Sequence, residues 1–161
     1  MAGKALLGIS PGTRIIGLAV IHDGELVEWK VKTFKETWSR AKRMAILEMI
    51  HRLCEYHNVG VLSVKKIDPL RSSPQLDRLL RNLIKQAKRY GIKVKLYSLS
   101  ELDYDLRTGK RQTKDMLGEQ VAEKHPEVKD AYLRERNNRR EYYTKMFEAI
   151  AMAERYRDEY G

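Results

Sequence analysis

The stretch Leu6-Leu-Gly-Ile-Ser-Pro-Gly-Thr-Arg-Ile-Ile-Gly-Leu-Ala-Val-Ile21 constrains the fold more than any other part of the chain. It reads as a buried strand, a tight turn at Pro11-Gly12 and a second strand returning beside the first. Proline presets φ for such a turn, and Gly12 can take the positive φ that such a turn often needs. Asp23-Gly24 then joins Ile21 to the β-rich run 25–34, the strongest short hairpin signal available. Three strands in an antiparallel meander therefore open the protein. The first of them ends at Ser10.

The remainder alternates helix and strand. Over 36–57 the apolar positions Ile46, Ile50, Leu53, Cys54 and His57 form one helical stripe. His57, at its end, reads as a packed or helix-terminal histidine. His22, His51 and His125 are scattered, so no metal-type histidine cluster is expected. Val59-Gly-Val-Leu-Ser-Val64 is short, apolar and β-branched, and reads as a fourth strand buried on both sides. A cation-bearing loop, Lys65-Lys-Ile-Asp-Pro-Leu-Arg-Ser-Ser-Pro74, follows it. Ser73 and Pro74 mark a helix start, Leu76, Leu79, Leu80, Leu83, Ile84 and Ala87 form its stripe, and Tyr90-Gly91 ends it. The run 92–98 alternates as a fifth strand, with Lys93 and Lys95 on one face. The expected fold class is α/β: a mixed five-stranded sheet, with strands 1–3 as a meander followed by strands 4 and 5, flanked by helices.

No low-complexity linker or repeat interrupts the 161 residues, so residues 1–161 are expected to form one domain. No run is long enough to span a membrane and no signal-peptide pattern opens the chain. The single cysteine, Cys54, lies on a core-facing stripe, which suits a reducing compartment; a cytoplasmic location and no membrane partner are expected. Thirty-two Lys and Arg against twenty-two Asp and Glu leave a net charge of +10, an excess that favours nucleic acid as partner ahead of a membrane surface. A heat-adapted, densely charged surface is the alternative reading of the same numbers.

The last third carries the clearest basic clusters. Residues 107–114 hold four cations and no acid, Lys110, Arg111 and Lys114 among them, directly before a helix containing Met116, Leu117 and Val121. A helix N-terminus with basic residues suits phosphate contact. Residues 132–143 interleave Arg134, Arg136, Arg139 and Arg140 with three tyrosines. Arginine forks bind phosphates and tyrosine rings stack on bases. A charged helix surface over packed tyrosines is an equal alternative. Arg14 and Arg71 are further candidate phosphate contacts. The closing helix is expected to bury Tyr143, Phe147, Ile150 and Ala153, with Lys145 and Glu148 on a neighbouring face.

Leu7-Gly-Ile-Ser-Pro-Gly-Thr-Arg14, followed by Gly17-Leu-Ala-Val-Ile21, resembles the opening of the RuvC-type Holliday junction resolvases of the RNase H-like superfamily. That family opens on an Ile-Asp-Pro-Gly-Ser/Thr-Arg pattern. Val61-Leu-Ser-Val-Lys-Lys66 is similar to its Ala-Ile-Glu-Gln strand end, the segment near 110–114 to its basic element, and Glu148-Ala-Ile-Ala-Met-Ala153 to its Asp-Ala-Leu-Ala final helix. The YqgF type, with a Gly-Thr-Lys/Arg-x-Ile-Gly-Leu-Ala-Val opening, is the nearest competitor within the same fold. The resemblance implies an RNase H-like fold, binding of branched or structured DNA and a homodimer.

The resemblance also implies a two-metal nuclease site: one aspartate on the first strand, a glutamate on the fourth and two acids on the final helix. Hard divalent cations require such clustered oxygen ligands. Here the matching positions are Ser10, Lys65, Lys145 and Glu148, and only the last is acidic. One carboxylate beside two ammonium groups cannot neutralise two Mg²⁺ ions. The expectation is a site unable to perform two-metal hydrolysis, with no cofactor and with Lys65 or Lys145 paired to Glu148. Two alternatives stand beside it. One is a nuclease, Mg²⁺- or Mn²⁺-dependent, rebuilt from Asp68, Asp103, Asp105 and Asp115. The other is a non-catalytic assembly subunit.

Overall fold

The computed structural model describes residues 4–98, 114–138 and 143–160. Five strands form one mixed sheet: β1 (Ala5–Ser10), β2 (Ile15–His22), β3 (Glu25–Thr33), β4 (Val59–Lys65) and β5 (Lys93–Tyr97), in the order β3-β2-β1-β4-β5. The meander is antiparallel, while β4 runs parallel to β1 and β5 parallel to β4. Asp23 and Gly24 take left-handed φ values of 52° and 81° at the β2–β3 hairpin, the twist such a turn requires. Gly12 does not use the positive φ open to it. A Cβ there would instead run into the Ile15 carbonyl and lie 3.2 Å from Lys145 Cε, so closeness is what the position demands.

Alternation along the strands builds two cores. Leu7, Ile9, Ile16, Leu18, Leu62 and Val64 face α1 (Arg40–His57) and α2 (Pro74–Arg89), which bring Ile46, Ile50, Leu53, Leu79 and Leu83. Ala19, Ile21 and Leu26 face the opposite layer of α3 (Lys114–Lys124), α4 (Lys129–Asn138) and α5 (Thr144–Tyr160), where Val121, Phe147 and Ile150 are buried. Both faces of β1 and β4 are thus covered, as their near-continuous apolar runs require.

Helix α1 begins at Arg40, four residues later than the apolar period suggested. The Ser39 hydroxyl caps it by accepting from Lys42 N at 3.1 Å. Lys42 Nζ in turn donates to the Phe34 and Glu36 carbonyls at 3.0 and 2.7 Å, which holds the preceding segment out of the helix. His57 lies in the last turn of α1 and its Nε2 meets Glu28 Oε2 at 2.7 Å, tying α1 to β3. Among the described residues no helix is long and apolar enough to cross a membrane.

Helix α5 sets the geometry of everything that follows. A Cβ on Gly8 would strike the Ala149 carbonyl, and one on Gly17 the Lys145 carbonyl. Two strands therefore present bare backbone where α5 crosses them. The buried Ser63 hydroxyl adds a donor to the Met152 carbonyl at 2.6 Å.

Candidate functional site

Parallel pairing places the carboxyl ends of β1 and β4 side by side, with Ile9 opposite Val64. The next residues on the α5 side are Ser10 and Lys65. Close seating of α5 on Gly8 and Gly17 brings Glu148 down between them. The Ser10 hydroxyl donates to Glu148 Oε1 at 2.9 Å, and Lys65 Nζ lies 3.2 Å from Oε1 and 3.1 Å from Oε2. Ser10 is fully buried, Glu148 is 3% exposed, and the Lys65 side chain is 16% exposed. Lys145, one turn earlier on α5, donates to the Pro11 carbonyl at 3.0 Å and covers the β1–β2 turn.

Chemically this is one buried carboxylate that already accepts from a hydroxyl and a bidentate ammonium. A charge so deeply desolvated needs such a counter-ion, because an isolated buried carboxylate would be prohibitively costly. A pair of hard divalent cations needs several anionic oxygens, and among the described residues no group of three or more His, Cys, Asp or Glu is placed to hold a metal. Among the described residues the donors around Glu148 do not fit a two-cation centre, since a metal approaching Glu148 would meet the Lys65 ammonium at close range.

Three helix N-termini converge on this edge of the sheet. Helix α2 leaves the loop after β4, and α5 starts over Pro11. The first turn of α1 is tied through Lys42 to Phe34, whose N–H donates to the Arg14 carbonyl at 2.7 Å. Such termini favour anions. Arg14, in the β1–β2 turn, and Lys66 and Arg71, in the loop after β4, are exposed on the same edge. Asp68 serves that loop's 3₁₀ turn, Pro69–Arg71, accepting from Leu70 N at 2.9 Å.

The remaining sequence candidates are placed less fully. Lys114 opens α3 and Arg136 lies within α4, while Lys110, Arg111, Arg139 and Arg140, like Asp103 and Asp105, fall outside the described residues. Arg134 is exposed on α4 and lines a separate groove of about 370 Å³ with Trp29, Lys30 and Tyr143.

Two polar constellations had no sequence signal. His125 Nε2 meets Glu154 Oε1 at 2.7 Å in a buried contact, and Arg157, which neighbours Glu154, donates to the Gly24 carbonyl at 2.9 Å. The partners are separated by 29 residues, so only the docking of α3 on α5 brings them together. At the far edge, the buried Tyr97 hydroxyl donates to Glu159 Oε2 at 3.0 Å. Burial first, then that carboxylate, pushes the Tyr97 phenol well above its ordinary range.

No protein-family model and no curated protein matches the sequence. Comparison of folds is more informative. The chain is similar to the RuvC structure of Thermus thermophilus, with 15% identity, a TM-score of 0.69 and coverage of 96% of this chain and 95% of that one. It is also similar to T. thermophilus RuvC in complex with Holliday junction substrate, at 15% identity and a TM-score of 0.61 over 99% and 97% of the two chains. The Fowlpox virus resolvase in complex with Holliday junction DNA gives 14% identity and 0.59 over 96% and 97%. The sheet order and its helical layers define an RNase H-like fold. The form of that fold is the one seen in the RuvC and poxvirus Holliday junction resolvases.

Proposed function

We propose that this chain is a RuvC-like protein that binds branched or structured DNA and lacks two-metal nuclease activity. The observation that carries the reading is the bidentate contact of Lys65 with Glu148, 3.1 and 3.2 Å, at the edge where β1, β4 and α5 meet. An internal ammonium there supplies the positive charge that the resolvases' acids would draw from cations. The carboxylate is thereby satisfied without metal. Binding rests on different groups: the exposed Arg14, Lys66 and Arg71 beside three helix N-termini, which suit phosphates, and the net charge of +10. The two solved resolvase complexes hold Holliday junction DNA, which makes a four-way junction the first substrate to try.

The test is a gel experiment. Labelled four-way junction, matched duplex and single strand are each incubated with protein in EDTA, Mg²⁺ and Mn²⁺, then run native and denaturing. A shifted but uncut junction in all three conditions is expected. Metal-dependent cleavage that disappears in a Glu148→Gln variant would overturn the non-catalytic half of the reading. No shift on any substrate would overturn the binding half and favour an assembly role.

A further inference from the structure

The outer edge of the sheet carries a second cluster of cations, this one interleaved with tyrosine rings. Alternation on β5 points Lys93, Lys95 and Tyr97 to the α5 side, and the last turns of α5 bring Arg155, Tyr156, Glu159 and Tyr160 over them. Lys93 Nζ lies 4.9 Å from the Tyr160 ring centroid and 5.8 Å from that of Tyr156. Lys95 Nζ is 5.7 Å from Tyr160 and 5.8 Å from Tyr97, and the Arg155 guanidinium is 5.7 Å from Tyr97. The Tyr156 and Tyr160 rings are 4.6 Å apart and tilted by only 32°.

The cluster is both charged and accessible. Of its three cations, Lys95 and Arg155 each lie 3.8 Å from Glu159, whose carboxylate accepts from the Tyr97 hydroxyl, while Lys93 lies against the tyrosine rings. Tyr160 is 51% exposed, and Lys93 is exposed beside it. The cluster also continues the central site. Lys65 pairs in register with Tyr97, so the two side chains stand on neighbouring strands and the same face. A row therefore runs from Ser10 through Lys65 to Tyr97 and out to the exposed rings.

We propose that the Lys93–Lys95–Tyr156–Tyr160 surface is a stacking platform for an unpaired nucleic-acid strand leaving the central site. Backbone phosphates take the two lysines, and a base stacks on the exposed Tyr160 ring. Single-strand sites combine these two elements, since every base has a π-face and every nucleotide a charge. A duplex cannot offer a free base face to the rings, which gives the platform its selectivity. The proposal rests on the nucleic-acid-binding reading above, yet it can fail separately.

Fluorescence anisotropy on the full chain tests it, using a labelled single-stranded oligonucleotide, a fully paired duplex and a four-way junction. Tyr160→Ala is expected to weaken single-strand binding by about five- to a hundredfold, the range for loss of one base–aromatic stack, and to leave duplex affinity unchanged. Tyr160→Phe, which keeps the ring, is expected to bind like the unaltered protein. Lys93→Gln is expected to flatten the salt dependence. Because Tyr160 is half exposed, a circular-dichroism melt should be the same for both tyrosine variants. Junction binding with single-strand affinity indifferent to Tyr160→Ala would overturn the platform and leave the functional reading intact. Ring-dependent single-strand binding without junction binding would support the platform and overturn the junction reading. No binding of any oligonucleotide would overturn both.

Discussion

Replacing Lys65 by methionine removes the ammonium from Glu148 while keeping the length and much of the apolar volume of the side chain. Glu148, 3% exposed, is then left with the Ser10 hydroxyl as its described hydrogen-bond donor. Removing one partner of a buried ion pair typically costs about 3–5 kcal/mol, because the surviving charge stays desolvated. Lys65 itself is 16% exposed, so water can take part of its place, and a loss at or just below the bottom of that range, about 2–3 kcal/mol, is expected. For a domain of this size that corresponds to a fall in Tm of about 4–12 °C. Urea denaturation of Lys65→Met, Glu148→Gln and the double variant at neutral pH measures it. The double variant removes both charges and should recover most of the loss, since the pair as a whole gives little net stability. A Lys65→Met protein within about 0.5 kcal/mol of the unaltered chain would refute the reasoning, as would a double variant no more stable than the single one.

Other outcomes follow from the same geometry. Gly17→Ala drives a methyl into the Lys145 carbonyl and should cost about 1–3 kcal/mol or more in a denaturation curve. His125→Ala strips a hydrogen bond from the buried Glu154 carboxylate, and a loss of about 1–3 kcal/mol is expected by the same measurement. Burial pushes the Cys54 thiol up to about 12. Its thiolate is therefore scarce in the folded state, and a thiol reagent at pH 8 should label it only as fast as the chain opens. The sign for stability is definite: the unfolded thiol ionises from about pH 8.5 and the folded one near 12, so this contribution is complete below that window and declines as pH rises through it. The raised Tyr97 phenol acts in the same alkaline direction.

Much of the sheet was legible because its signals are local. Pro11-Gly12 and Asp23-Gly24 between β-rich runs define the meander, and the apolar run at 59–64 marks an interior strand. Helix α1 starts at Arg40 rather than at 36 because Ser39 caps it and the Lys42 ammonium gathers the Phe34 and Glu36 carbonyls, contacts that no apolar period encodes. At Gly12 a Cβ would meet the Ile15 carbonyl of the same turn, a closeness that only the folded turn reveals. The resemblance named Ser10, Lys65, Lys145 and Glu148 together, and the structure brings Ser10 and Lys65 onto Glu148 while Lys145 reaches Pro11. The His125–Glu154 contact and the Tyr97 cluster were not legible. Both depend on the diagonal path of α5 across the sheet, which no spacing within one element encodes.

The proposal that the Lys65 ammonium stands in for metal at Glu148 is tested most directly by Mn²⁺ binding. Isothermal titration of Mn²⁺ into the unaltered chain and into a Ser10→Asp/Lys65→Glu variant would compare the present donor set with a rebuilt carboxylate cluster. The account predicts no saturable binding to the former and stoichiometric binding to the latter. Saturable Mn²⁺ binding to the unaltered chain that is lost in Glu148→Gln would contradict it.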